Sequence, residues 1–120
     1  LYRRRQRQMC IRDRLGGVVG ATARWAVGEI GWSTATSLLV VNTVGCFVLG
    51  MVVAVWADRE HPARLALGVG LCGGLTTFSG LAVDLAQRLD AGEFAGALAL
   101  TAASVGLGLG AFVGGREVAP

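Results

Sequence analysis

The residues of this chain that could do chemistry are few, and most of them lie inside apolar stretches. Seven are consecutive: Gly73-Gly74-Leu75-Thr76-Thr77-Phe78-Ser79. With Gly70 just before them, they are poor material for a continuous helix. Glycine costs roughly 1 kcal/mol relative to alanine, and adjacent threonines compete for main-chain hydrogen bonds. Unwound backbone at membrane depth is tolerated only where it is buried in protein or lines a cavity. Its freed carbonyls can hold a cation, while its hydroxyls and the N-terminus of the following half-helix can face an anion. A packing kink with the Thr hydroxyls bonded back to the helix is the competing reading. Spacing alone leaves both open.

Other polar groups sit in similarly apolar surroundings. Asn42 lies in Val41-Asn42-Thr43-Val44-Gly45, and a primary amide buried in lipid without partners is costly. It must face the interior of a bundle, either bonding to another helix or donating to a passing anion. Phe78 offers a ring whose edge carries partial positive charge and can favour an anion, although a single Phe in a membrane helix is ordinarily packing. Arg24 and Asp84 are charges within apolar segments, so each must face protein or water, with snorkelling from a helix end the alternative for Arg24. Thr101 and Ser104 share a helix face at i, i+3. They extend a hydroxyl track or bond to their own backbone.

The elements that must hold these groups are hydrophobic segments. Of 120 residues, 53% are hydrophobic and only 16% charged, too little charge to cover a soluble domain of this length. Residues 35–57 are uncharged and long enough for a hydrocarbon core of about 30 Å, and 94–115 are as clean. Segments 15–30, with Arg24, and 64–89, with Asp84, are less clean. Trp32 and Trp56 stand near segment ends, where interfacial aromatics belong. The short loops between them predict an antiparallel bundle: an all-α membrane protein of four transmembrane helices with the third one broken. The nineteen glycines include the four-residue spacings Gly16/Gly20 and Gly106/Gly110/Gly114, which let helix backbones approach closely and suit self-association.

Residues 1–14 hold six of the eleven basic residues, all arginine, against one acid, Asp13. Such an arm reads as an anionic-lipid anchor, a nucleic-acid tail, or a non-native or disordered leader. Its lack of periodicity favours the last, which puts the four-helix transmembrane domain at 15–120 and gives no nucleic-acid partner. Outside the arm and Arg24, the second loop and C-terminus carry Arg59, Arg64 and Arg116 against Arg88 on the other side. This bias is weak enough to permit insertion in both orientations. Cys10, Cys46 and Cys72 have no metal-ligand spacing, and no nucleophile–base pair or metal set appears, so an enzyme is not expected.

Three stretches then occur in order: Gly16-Gly17-Val18-Val19-Gly20-Ala21-Thr22-Ala23-Arg24-Trp25, Val41-Asn42-Thr43-Val44-Gly45-Cys46-Phe47-Val48-Leu49-Gly50, and Gly73-Gly74-Leu75-Thr76-Thr77-Phe78-Ser79. Together they resemble the Fluc/CrcB fluoride channel family from Leu15 onward. The resemblance implies an antiparallel, dual-topology dimer in the cell inner membrane, with two anion pores and a central structural Na⁺. The Na⁺ would be held by the backbone carbonyls of Gly73 and Thr76 from both subunits. Asn42 would donate to fluoride, Phe78 would offer its ring edge, and Ser79, Thr101 and Ser104 would lie along the path, with Arg24 at a vestibule. Conduction would be passive: fluoride that entered as HF and ionised in the cytoplasm leaks out.

The family typically continues Phe-Ser-Thr-Phe-Ser-x-Glu, whereas this chain reads Phe78-Ser79-Gly80-Leu81-Ala82-Val83-Asp84. By that resemblance Leu81 would stand in the anion pathway where a second aromatic is expected. This motivates an alternative, a poorly conducting partner subunit of a heterodimeric fluoride channel. A small multidrug exporter shares the size and span number but would need a carboxylate deep in the first helix. That helix has only Glu29, at its end.

Overall fold

The computed structural model describes residues 2–120. Among them every regular element is helical: α1 (Tyr2–Gly28), α2 (Thr34–Val55), α3 (Pro62–Arg64), a π-helical stretch (Leu65–Cys72), α4 (Gly73–Leu75), α5 (Phe78–Asp90) and α6 (Phe94–Val118). Three stretches are long and apolar enough to cross a membrane: Thr34–Val55, Pro62–Asp90 and Phe94–Val118. Their ends fall within three residues of the positions read from the sequence.

The first helix departs from that reading. It runs unbroken from Tyr2, so residues 2–14 are helical and continuous with the segment that follows. The physical reason is local. Arg, Gln and Met are good helix formers, and no glycine occurs before Gly16 to interrupt them. Because the arginines occupy its first half and Arg24 its second, α1 is not among the three stretches apolar enough to span.

The helix ends follow from capping chemistry. Ser33, in extended conformation, accepts the Thr36 N–H on its hydroxyl at 3.2 Å and so starts α2. Replacing Ser33 with alanine is expected to cost about 1 kcal/mol, read as a lower thermal unfolding midpoint in detergent. Gly31 makes the preceding turn at φ +91°, a conformation that side chains resist. At the other end of α2, Arg64 donates through one guanidinium nitrogen to the carbonyls of Trp56 and Ala57, both at 2.9 Å. His61 Nδ1 accepts the Ala63 N–H at 3.2 Å, and Pro62 follows in the first helical position, where its missing N–H is no loss.

Glycines set the packing. A side chain at Gly16 would collide with the Ala66 carbonyl, at Gly20 with the Leu71 carbonyl, and at Gly74 with the Gly17 carbonyl. Helix α1 thus lies backbone against backbone on the π-helical stretch and α4, as small-residue packing allows. Gly50 and Gly115 do the same for α2 and α6, each facing a main-chain carbonyl of the other helix, those of Phe112 and Phe47. The six buried hydrophobic side chains among the described residues, Leu38, Val41, Val52, Cys72, Ala97 and Leu100, are a small core. Apolar residues on the outside, Val44, Val105 and Leu109 among them, suit a protein whose solvent is lipid.

Candidate functional site

The site begins where helical backbone stops. Thr76 (φ −79°, ψ 153°) and Thr77 (φ −146°, ψ 120°) are both extended, between α4 and α5. Thr76 still gives its N–H to the Cys72 carbonyl at 2.9 Å, and its hydroxyl bonds to the same oxygen at 2.8 Å. Beyond that point the helical ladder has no partners to offer, and side chains from two other helices supply them.

Asn42 on α2 is the first. The main-chain N–H of Thr77 donates to its Oδ1 at 2.8 Å, and its Nδ2 donates to the Thr77 carbonyl at 3.3 Å. An amide carries an acceptor and donors side by side, so it can pair with one residue's main chain as a neighbouring strand would. The Thr77 N–H can only donate, which fixes the amide oxygen toward it and leaves one N–H of Nδ2 uncommitted. Of the two sequence readings for Asn42, bonding to another helix is therefore what its oxygen does. Arg24 on α1 is the second: its Nη1 donates to the Thr76 carbonyl at 3.3 Å. Thr77 closes the arrangement by capping α5, its hydroxyl accepting the Gly80 N–H at 3.1 Å and lying 3.1 Å from that of Ser79. Buried main-chain groups require partners, and this break obtains them from α1, α2 and its own threonines.

A groove of about 430 Å³ runs beside the break. Asn42, Gly73, Thr76, Phe78, Leu81 and Ser104 line it together, drawn from α2, α4, the break, α5 and α6. Phe78 is 83% exposed, so its ring stands clear of its own chain. Two of the expected pathway residues lie apart from this groove. Ser79 turns its hydroxyl to Thr77, and Thr101 donates to its own helix at the Ala97 carbonyl, 2.9 Å away. Arg24 lines a separate cavity of about 200 Å³ with Trp32, Thr34 and Ser37. Asp84 is accounted for by an ion pair with Arg88 one turn on, at 2.9 Å.

Sequence reasoning gave Thr77 no role of its own, yet it is the residue most engaged at the break. The available signal was its place three residues before Gly80, the spacing of an N-cap hydroxyl to the main-chain N–H it accepts. Gly45 was also passed over. A side chain there would collide with the Thr76 methyl group, so its absence lets Thr76 nest against α2. Gly80 has the Leu38 and Thr77 side chains 2.9 and 3.1 Å from where a Cβ would stand. The space for a larger residue is already filled.

These features define a small all-helical protein, with three stretches apolar enough to cross a membrane, whose polar groups gather where the backbone is extended at Thr76 and Thr77, beside an open groove. Comparison with known sequences agrees and narrows the class. Residues 14–116 match the family described as CrcB-like protein, Camphor Resistance (CrcB). The "Fluoride-specific ion channel FluC 2" of Synechococcus sp. (strain CC9902) is 41% identical over 97 residues, covering 81% of this chain and 69% of that one. The "Fluoride-specific ion channel FluC" of Rhizobium etli (strain CIAT 652) is 37% identical over 112 residues, covering 87% and 90%. That of Deinococcus radiodurans is 39% identical over 112 residues, covering 85% and 87%. The chain belongs to the CrcB family.

Proposed function

We propose that this protein is a fluoride-selective passive channel of the cell inner membrane, exporting cytoplasmic fluoride, and that it works as a dimer of oppositely oriented copies. Four spans are assigned to each copy, with α1 crossing through its second half and the third span interrupted in mid-membrane at Thr76 and Thr77. The observation that carries the reading is the pairing of Asn42 with the Thr77 main chain at the edge of the groove, in a chain whose relatives are named for fluoride. Family membership displaces the multidrug-exporter reading.

In this function the residues divide the work. Asn42 spends its oxygen on Thr77 and keeps one N–H for the anion. Phe78 offers its ring edge, where the quadrupole is positive, and Leu81 presents no such edge beside it. Ser104 continues the path along α6, and Ser79 and Thr101 join it where their hydroxyls turn from their present partners. Arg24 supplies positive charge at the vestibule.

The fit of a structural Na⁺ is uneven. Gly73 is exposed, with no heavy atom within 4 Å of where its Cβ would stand, so its surroundings are open to a second copy. The Thr76 carbonyl lies outside the helical ladder but already accepts from Arg24. Carbonyls of Gly73 and Thr76 from two copies would hold the ion, whose charge would balance oxygen dipoles brought together at the dimer centre.

Efflux from proteoliposomes, followed with a fluoride electrode, tests the proposal. Fluoride leaves through the purified protein, and chloride is conducted far less. Leu81→Phe raises fluoride flux by about two- to ten-fold, the scale of an aromatic edge contact of about 0.5–1.5 kcal/mol. A preparation with no fluoride flux sinks the homodimer. Leu81 beside Phe78 in the groove favours a second reading, a partner subunit completing a heterodimer. In that case flux arises only on co-expression with a homologous chain.

A further inference from the structure

Arg24 is held at the break by rigid means. It lies one helical turn beyond Gly20, and a side chain at Gly20 would meet main-chain atoms of Leu71, Gly74 and Leu75. The contact between α1 and α4 is therefore backbone on backbone, and it fixes which residue of α1 stands beside Thr76. Arg24 is half-buried, and the ion pairs formed among the described residues are those of Arg88 with Asp84 and Glu93. The guanidinium thus meets a carbonyl dipole rather than a carboxylate. A carbonyl freed from a helix and facing a fixed positive charge is already in the electrostatic state that a bound cation would impose on it.

We propose that the Arg24 guanidinium is a tethered cation seated on the Thr76 carbonyl, and that a free monovalent cation competes with it for that oxygen. The carbonyl has two lone pairs, so geometry permits both. Two like charges sharing one oxygen repel strongly where water is scarce, so the tethered charge weakens binding of the mobile one. Arg24 is in this sense a positioning residue that sets cation affinity at the break. The inference takes from the channel reading the choice of Na⁺ as the cation and of the Thr76 carbonyl as one of its ligands.

The test is thermal unfolding of the full chain in detergent, with Na⁺ replaced by N-methylglucamine at constant ionic strength. The Na⁺ concentration giving half the stabilisation falls at least ten-fold in Arg24→Gln, which keeps a donor and removes the charge. Arg24→Lys stays at the wild-type value. Equal midpoints in wild type and Arg24→Gln, or no Na⁺ dependence in either, overturn the proposal. If Arg24→Gln does not fold, Arg24→Ala is purified with Na⁺ or guanidinium ion present. Recovery of folded protein by either ion supports a cation site at Thr76, and failure of both overturns it. Absent fluoride flux would sink the channel reading and leave this comparison of midpoints intact.

Discussion

Asn42→Asp removes fluoride conduction while the chain still folds. The substitution is nearly isosteric, and its carboxylate still accepts the Thr77 N–H that Oδ1 accepts at 2.8 Å. Two things change. The donor to the Thr77 carbonyl is lost, setting oxygen against oxygen at the break, and a negative charge enters the groove lining. Two unit charges 4 Å apart repel by about 4 kcal/mol at an effective dielectric constant near 20. At about 1.4 kcal/mol per factor of ten, fluoride flux falls by about a hundred- to a thousand-fold. Asn42→Ala fails differently. It strands both the N–H and the C=O of Thr77, each costing about 1–3 kcal/mol when unpartnered, so the loss appears first as a lower unfolding midpoint. The pair of variants separates the roles: efflux measured by fluoride electrode falls most in the aspartate variant, and stability most in the alanine variant. Wild-type flux through the aspartate variant would remove Asn42 from the anion path.

What the sequence revealed about this site, and what it concealed, divides along sequence distance. The interruption at Thr76 and Thr77 was legible because its causes are local: adjacent glycines and adjacent β-branched hydroxyl residues, all within a few positions. That Asn42 needs a partner was legible from chemistry alone, but the partner was not. Thr77 is 35 residues away, and Thr76 is 52 from Arg24. Such pairs depend on the register between helices. Glycine spacing shows that α1 packs closely on something without showing against which turn. Faces were equally hard to read. Helices apolar on all sides give no amphipathic stripe to orient them, so Thr101 and Ser104 looked equivalent although only Ser104 lines the groove. The start of α1 is hidden in the sequence because residues 2–14 lack hydrophobic periodicity, while their helix propensity is high. Asp84 was read for its depth when its i, i+4 spacing to Arg88 already offered a partner.

The same packing makes Gly20→Ala the most damaging single methyl group in α1. Its Cβ would overlap the Leu71 carbonyl and approach the Leu75 nitrogen to 2.7 Å and the Gly74 carbonyl carbon to 3.0 Å. These are backbone atoms of a neighbouring helix, so no rotamer change relieves the overlap and the helices must move apart. Overpacking of this kind costs about 1–3 kcal/mol, against a gain of about 1 kcal/mol in helix propensity from Gly to Ala. The loss extends beyond the contact itself. Arg24 reaches Thr76 at 3.3 Å, so separation of α1 from α4 breaks that bond first and leaves the Thr76 carbonyl unpartnered. The unfolding midpoint falls, and the stabilisation by Na⁺ shifts as it does for Arg24→Gln, although Arg24 itself is unchanged. Gly28→Ala, on the same helix with nothing within 4 Å of its new methyl, is the control. It leaves stability unchanged or raises it by up to about 1 kcal/mol, the helix-propensity gain without the overlap. If the two variants unfold alike, the close approach of α1 to α4 does not position Arg24, and the coupling from glycine packing through the guanidinium to the broken backbone fails with it.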